Sequence, residues 1–349
     1  MRAATIHGPY DIRVEDVPDA HPTEPGDAVV QVLRSCVCGT DLWAYRGDSQ
    51  RRPGQRLGHE FLGTVTDTGP DVTTLRPGDL VLAPFAWSDG SCAPCVDGLP
   101  TSCVNGGLFG AVGADGGQGE AVRVPYADTT LVRLPADAAS DGRLLNAILA
   151  LSDVMGTGYH AAVSADVHPG TSVAVIGDGA VGLCAVLAAR LLGAEQIIAL
   201  GCHPARLDIA RAFGATDVVT PRGEAAVTAL RELTDGHGTH ATIEAVGTRE
   251  SMQTALRATR PGGTIGWVGA PHGNTEALDP MTLFMHNITL RGGLAPTRRY
   301  IDELLPRVLD GTLDPSPVFD TSMPLESTPA AYHAMDTRAA LKPVITPGG

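Results

Sequence analysis

The sequence predicts an α/β protein in which a doubly wound parallel sheet is inserted into a β-rich domain built from both ends of the chain. Three observations carry this. The first part holds short β-branched runs punctuated by glycine, proline and aspartate about every ten residues, the rhythm of a barrel-like fold of short strands. Near Leu144 the rhythm changes, and continuous apolar runs begin to alternate with helical stretches, which implies a parallel sheet covered on both faces. The last fifty or so residues return to short proline-rich segments. At 349 residues the chain suits two domains, each large enough for its own core. The β-rich domain is expected over residues 1–148 and 298–349, and the α/β domain over 149–297.

The elements follow in order. Strands are expected at residues 29–33, 63–66 and 80–82. After a helical stretch from Leu144, a strand at 173–176 precedes a helix at 181–192, and a strand at 197–200 precedes a helix at 205–213. Further strands are expected at 241–245, 264–268 and 288–290. An amphipathic helix follows, its apolar face made by Ile301, Leu304, Leu305, Val308 and Leu309.

Composition narrows the function classes. A formal charge of −14 opposes nucleic acid as a partner, because phosphate binding needs a basic face. No apolar run is long enough to cross a bilayer, and Met1-Arg2-Ala3-Ala4-Thr5 lacks the apolar core of a signal peptide, so a cytoplasmic location is expected. The seven cysteines are clustered rather than spread as in a disulfide framework, which favours metal binding in a reducing compartment.

Gly177-Asp178-Gly179-Ala180-Val181-Gly182 fits GxGxxG directly after an apolar strand and at the start of a helix. Gly177 and Gly179 permit the tight turn and close pyrophosphate approach, and Gly182 permits helix–strand packing. Ala180 and Val181 open the helix, whose N-terminus presents unpaired N–H groups to phosphate. With the flanking βα units this is a Rossmann dinucleotide-binding domain. Cofactor choice is set after the second strand, where an acid binds the adenosine ribose and repels a 2′-phosphate. The sequence there reads Gly201-Cys202-His203, with Arg206 nearby, so the acid is missing and NADP is favoured, with NAD as the alternative.

Asp89, Cys92, Cys95 and Cys103 offer four zinc ligands in a short loop, enough to close a tetrahedral site to substrate. Aspartate is also a common turn residue, which leaves Asp89 two readings. A dispersed set comprises Cys38-Gly39-Thr40-Asp41, Gly58-His59-Glu60 and Ser152-Asp153. No spacing rule joins these, and composition alone reads His59 as a core or surface histidine and Asp153 as a helix cap.

Taken together, Cys38-Gly39-Thr40-Asp41-Leu42, Gly58-His59-Glu60-Phe61-Leu62-Gly63 and Pro77-Gly78-Asp79 resemble the zinc-containing medium-chain alcohol dehydrogenase family, in its order and spacing. Ser152-Asp153-Val154-Met155-Gly156-Thr157-Gly158-Tyr159 is similar to the formaldehyde-dehydrogenase-like branch, where aspartate replaces a cysteine ligand. The resemblance implies a GroES-like β-rich domain, with Cys38, His59 and Asp153 holding a catalytic zinc whose fourth position stays open. It implies that Glu60 approaches the metal during ligand exchange or accepts a hydrogen bond beside it. Thr40 matches the hydroxyl that takes the alcohol proton, but Trp43 stands where the next relay group is usually histidine, and indole cannot relay protons at neutral pH. Trp43 and Phe85 would shape an apolar substrate pocket or pack in the core. The structural-zinc loop has Asp89 in place of the usual first cysteine, and Lys342 matches a basic residue near the cofactor pyrophosphate.

The implied activity is hydride exchange between a small-molecule alcohol or carbonyl substrate and NAD(P), in a homodimer or homotetramer. A zinc-free quinone or enoyl reductase on the same fold, and a non-catalytic cofactor- and metal-binding protein, are the competing readings. The first would lack the metal ligands; the second would need neither Thr40 nor an open metal position.

Overall fold

The opening strands are β1 (Arg2–Gly8), β2 (Asp11–Asp16), β3 (Ala28–Cys36), β4 (Gln55–Arg56), β5 (Phe61–Thr68), β6 (Leu80–Ala83), β7 (Ala86–Trp87), β8 (Gly107–Leu108), β9 (Ala121–Val124) and β10 (Val132–Arg133). The next are β11 (Ser172–Ile176), β12 (Gln196–Leu200), β13 (Asp217–Val219), β14 (Thr239–Glu244), β15 (Thr259–Trp267) and β16 (Thr289–Gly292). Then come β17 (Thr321–Pro324) and β18 (Pro343–Thr346). The structure, a computed structural model, describes residues 1–272 and 278–348. It divides the chain into one unit of Met1–Asp153 with Pro296–Gly349 and a second of Val154–Ala295. Asp153 stays with the first unit, five residues beyond the boundary read from the change of rhythm.

In the first unit β3 organises the main sheet, ordered β10-β6-β5-β3-β18-β17. It pairs antiparallel with β5 along one edge, with β9 near its start on the other, and with β18 at its end. Alternate residues Ala28, Val30 and Val32 point into a core shared with Phe61, Val65, Val81, Phe109 and Val122, as the period-2 alternation of a strand requires. The pairing of β18 with Ser35 and Cys36 returns the C-terminal segment to the place where the chain leaves β3 for Cys38. The helix Thr297–Leu309 buries Ile301, Leu304, Leu305 and Val308. Leu309, expected on that face, is the last helical residue and is exposed, because it lies at the edge of the stripe, about 80° round the axis from Ile301.

The second unit is a six-stranded parallel sheet in the order β13-β12-β11-β14-β15-β16. Ala174, Ile176, Ile198, Leu200 and Ile265 face a core with Leu230, Met252, Ala255 and Leu256 from the helices Gly223–Glu232 and Arg249–Ala258. Val173, Val175 and Ile197 point the other way and are also buried, so both faces are covered and the strands read as unbroken apolar runs. The helices Val154–Ser164 and Ala180–Leu191 pack together, and the first crosses β15 so closely that a Cβ on Gly266 would meet the Ala161 carbonyl oxygen. The strand order reverses between β11 and β14, the switch point where open α/β sheets bind ligands beyond their carboxyl ends. The three-residue β13 is too short for an apolar run to announce it. Among the described residues no helix is long and apolar enough to cross a membrane.

Candidate functional site

Two groups of metal-ligating side chains lie in the first unit. The end of β3 delivers Cys38, the start of β5 delivers His59 and Glu60, and the turn after Ala150–Ser152 delivers Asp153. That turn is pinned to β6, since the Ser152 hydroxyl donates to the Ala83 carbonyl at 2.6 Å and the Phe85 amide donates to the Ser152 carbonyl at 3.0 Å. One ligand atom from each of Cys38, His59, Glu60 and Asp153 lies within 4.8 Å of all the others. Cys38 Sγ is 3.7 Å from Asp153 Oδ2, and His59 Nε2 is 3.4 Å from the same oxygen. A tetrahedral zinc with ordinary Zn–N, Zn–O and Zn–S bonds places its ligands about 3.3–3.8 Å apart. The observed spacings fit it.

The surrounding side chains orient this set. His59 Nδ1 lies 3.2 Å from Asp41 Oδ1, which turns Nε2 toward Cys38 and Asp153 in the carboxylate–histidine–metal pattern. Asp41 is held in turn by the Cys38 amide at 3.0 Å and the Gln118 side-chain amide at 3.4 Å, and the Tyr332 hydroxyl donates to Gln118 at 2.9 Å. Burial disfavours a charged His59, but Asp41 and Cys38 overcome it and raise the imidazole well above its usual pKa. Burial likewise pushes the Cys38 thiol up, partly offset by His59. A cation entering here therefore displaces protons.

Lys342, expected near the cofactor pyrophosphate, has a side chain that is 1 % exposed, and its ammonium lies 2.6 Å from Glu60 Oε1, itself fully buried. The ammonium also donates to the Val37 carbonyl at 3.4 Å. The antiparallel return of β18 along β3 brings the lysine there. Glu60 Oε1 is 3.8 Å from His59 Nε2, and Oε2 carries no hydrogen bond among the described residues. A buried carboxylate oxygen without a partner, inside a ring of thiol, imidazole and carboxylate, fits a cation. Burial raises the Glu60 carboxyl while Lys342 pulls it back; burial lowers the Lys342 ammonium, but Cys36 and Glu60 raise it well above the usual range.

Thr40 immediately precedes the helix Asp41–Arg46 and donates its hydroxyl to Cys38 Sγ at 3.4 Å rather than to the helix amides. Trp43 lies on the same helix, half-buried, one turn further on. Phe85 is buried, with its ring edge-on to His59 at 6.4 Å.

The second group is the loop of Asp89, Cys92, Cys95 and Cys103, whose ligand atoms also lie within 4.8 Å of one another. Cys92 Sγ is 3.5 Å from Cys95 Sγ and 3.7 Å from Cys103 Sγ, close to the spacing of thiolates on one zinc. Asp89 makes the contacts of a turn aspartate and stands within reach of the three thiols. Its Oδ1 accepts the Ser91 and Cys92 amides at 2.8 and 3.0 Å, as a turn aspartate does, and Oδ2 accepts the Asn105 amide at 2.7 Å. Those bonds hold its carboxyl far below the usual range, and burial pushes the Cys95 thiol up to about 12. Cys103→Ser is expected to lower bound zinc by one ion per chain and Tm by several degrees, with kcat within about threefold of the parent. Metal analysis and thermal melting on one preparation check this.

In the second unit the glycine loop follows β11. Gly177 has φ +118° and donates its amide to the Leu200 carbonyl at 3.0 Å, and a Cβ on Gly182 would lie 2.0 Å from the Gly177 carbonyl oxygen. Gly179 caps the helix Ala180–Leu191, which Ala180 and Val181 begin, and a Cβ there would meet nothing within 4 Å. The open backbone at a helix N-terminus fits a pyrophosphate.

Gly201 follows β12, but the space beside it is filled. A Cβ on Gly201 would lie 2.5 Å from Asp178 Cβ and 2.7 Å from Asp178 Oδ2. Asp178 Oδ2 accepts the Cys202 and His203 amides at 2.8 and 3.0 Å and pairs with His203 Nδ1 at 2.8 Å. Burial opposes the Asp178 charge, but these His203 and Cys202 bonds outweigh it and lower the carboxyl below its usual range. Arg206 is 3.8 Å from Asp178 Oδ1, and the Arg222 guanidinium lies 3.0 Å from Cys202 Sγ. Asp178, from the glycine loop, thus occupies the volume that a side chain at 201 would enter. Sequence reading gave no role to Asp178, Asp41, Arg222 or Gln118; the first two stood inside quoted motifs, GxGxxG and Cys38-Gly39-Thr40-Asp41, and the others had no signal.

Comparison with known proteins gives two family matches along the chain. Residues 24–136 match the alcohol dehydrogenase GroES-like domain, and residues 180–310 match the zinc-binding dehydrogenase family. A probable zinc-binding alcohol dehydrogenase of Mycobacterium tuberculosis is 37% identical over 340 residues, covering 97% of this chain and 86% of that protein. An NADP-dependent isopropanol dehydrogenase of Thermoanaerobacter brockii is 36% identical over 301 residues, covering 84% of each chain. Among solved structures, an alcohol dehydrogenase from a Thermus species superposes with a TM-score of 0.92 at 33% identity over 99% of both chains.

Proposed function

The chain belongs to the zinc-containing medium-chain alcohol dehydrogenase family, and from that premise we propose that it exchanges hydride between a small alcohol, or its carbonyl partner, and NADP. The observation that carries this is the convergence of Cys38, His59 and Asp153 with the unpartnered oxygen of Glu60 beside them. When bound, zinc supplies Lewis acidity to the substrate oxygen and the nicotinamide supplies the hydride exchange.

The chain's own residues supply the rest. Cys38, His59 and Asp153 hold the ion, with two anionic donors and one neutral imidazole balancing its charge. Asp41 fixes the His59 tautomer with Nε2 inward. Lys342 anchors Glu60, so that its second oxygen stays within reach of the metal position. The Thr40 hydroxyl, beside Cys38 Sγ, takes the alcohol proton at Oγ1. Trp43 cannot pass that proton on, so the relay does not run through position 43. Phe85 and Trp43 give the site apolar walls.

The missing side chain at Gly201 and the cations Arg206 and Arg222 support NADP. NADP-dependent relatives acting on isopropanol support a small secondary alcohol as the first substrate to try. The edge strand β16, with the exposed Met281, Phe284, Met285 and Leu294 near it in sequence, supports a homodimer or homotetramer, which light scattering distinguishes from a monomer.

The test is a panel of primary and secondary alcohols, ketones and formaldehyde assayed with both nucleotides by nicotinamide absorbance. Turnover of a small secondary alcohol is expected. A protein that reduces quinones or enones without metal, and oxidises no alcohol, contradicts the proposal.

A further inference from the structure

We propose that Asp178 sets how strongly this protein discriminates between NAD and NADP, by keeping a carboxylate where a 2′-phosphate would seek its hydrogen-bond donors. This rests on the reading that the Val154–Ala295 unit binds a nicotinamide dinucleotide.

The acid that selects NAD in such folds ordinarily projects from the end of the second strand. Here that residue is Gly201, and the volume its side chain would enter is occupied by Asp178, reaching across from the glycine loop. The carboxylate takes the Cys202 and His203 amides, the donors at the entrance of the helix Pro204–Phe213. Pro204 has no N–H to add, so those amides are the first donors an anion would meet there. The carboxylate also takes His203 Nδ1.

Around this fixed anion stand two permanent cations, Arg206 at 3.8 Å from Asp178 Oδ1 and Arg222 against Cys202 Sγ. A ribose 2′-hydroxyl can donate to the Asp178 carboxylate. A 2′-phosphate gains the two guanidinium groups but meets a like charge that holds the amides it needs. The opposed charges leave both nucleotides usable, with Asp178 limiting the preference for NADP that the arginines create. A carboxylate that only pins the turn would instead affect both nucleotides equally.

The experiment is calorimetric binding of NAD+ and NADP+ to the zinc-loaded full chain and its variants. Asp178→Asn keeps an acceptor oxygen for the two amides and removes the charge. It is expected to tighten NADP+ relative to NAD+ on the order of tenfold. Asp178→Ser, smaller and also uncharged, shifts the ratio the same way and serves where Asp178→Asn folds poorly. Arg222→Ala moves the ratio in the opposite direction, with the NAD+ affinity within about twofold of the parent. A ratio unchanged within twofold in folded Asp178→Asn and Asp178→Ser, while both nucleotides still bind, overturns this role for Asp178 alone. Failure of the parent protein to bind either nucleotide overturns the dinucleotide reading and this inference with it.

Discussion

Replacing Asp153 by alanine is expected to release one zinc ion per chain and to lower kcat/KM for alcohol oxidation by roughly a thousandfold, about 4 kcal/mol of transition-state stabilisation. Asp153 closes the Cys38–His59 set, lying 3.7 Å from the thiol and 3.4 Å from the imidazole nitrogen. Without it, two ligands remain beside a Glu60 that Lys342 already holds, too few to fix a tetrahedral ion. The loss should appear as metal and turnover together, with nucleotide affinity unchanged, since the glycine loop belongs to the other unit. Asp153→Cys offers a different anionic donor of the right reach and should recover the zinc and part of the activity. Retention of two zinc ions by Asp153→Ala would remove the residue from the ligand set.

The second large effect is expected at Lys342. Its pairing with Glu60 is buried on both sides, and removing one partner of such a pair typically costs about 3–5 kcal/mol, because the other charge stays without water or counter-ion. Lys342→Met should show that loss in urea unfolding of zinc-free protein, and adding Glu60→Gln should restore much of it. The pH dependence has a definite sign. In the parent, Lys342 is raised in the folded state, so its contribution is complete below the unfolded lysine value of about 10.4 and is lost as pH rises through the folded one. In Lys342→Met, the Glu60 carboxyl, already raised by burial, loses the cation that pulled it down and rises further. The folded variant then binds that proton more tightly than the unfolded chain. Its deficit is largest above the folded Glu60 pKa and shrinks on acidification. A deficit that is flat with pH, or no rescue by Glu60→Gln, would assign the cost to lost packing.

The parallel sheet was legible because strands buried on both faces leave unbroken apolar runs such as 173–176 and 197–200. GxGxxG was legible because its glycines answer to backbone geometry within six residues. The cysteine loop was legible by proximity in sequence. The other centre was not, because Cys38, His59 and Asp153 converge only through the pairing of β3 with β5 and the anchoring of Ser152 to β6; resemblance supplied what spacing could not. Lys342 and Glu60 are 282 positions apart, so nothing local announces their pairing. The Asp178 contacts escaped for a subtler reason. The rule for nucleotide choice concerns one position, whereas the charge that matters can reach that place from a neighbouring loop.

The central claim is that zinc held by Cys38, His59 and Asp153 is required for turnover. The most direct measurement strips the protein with chelator and returns zinc stepwise, following zinc bound and nicotinamide absorbance with a secondary alcohol in the same samples. Activity should be absent in the stripped protein and rise with zinc in the parent, while Asp153→Ala binds one ion fewer and stays inactive. Full turnover in stripped protein, or an Asp153→Ala variant that regains both zinc and activity, would contradict the account.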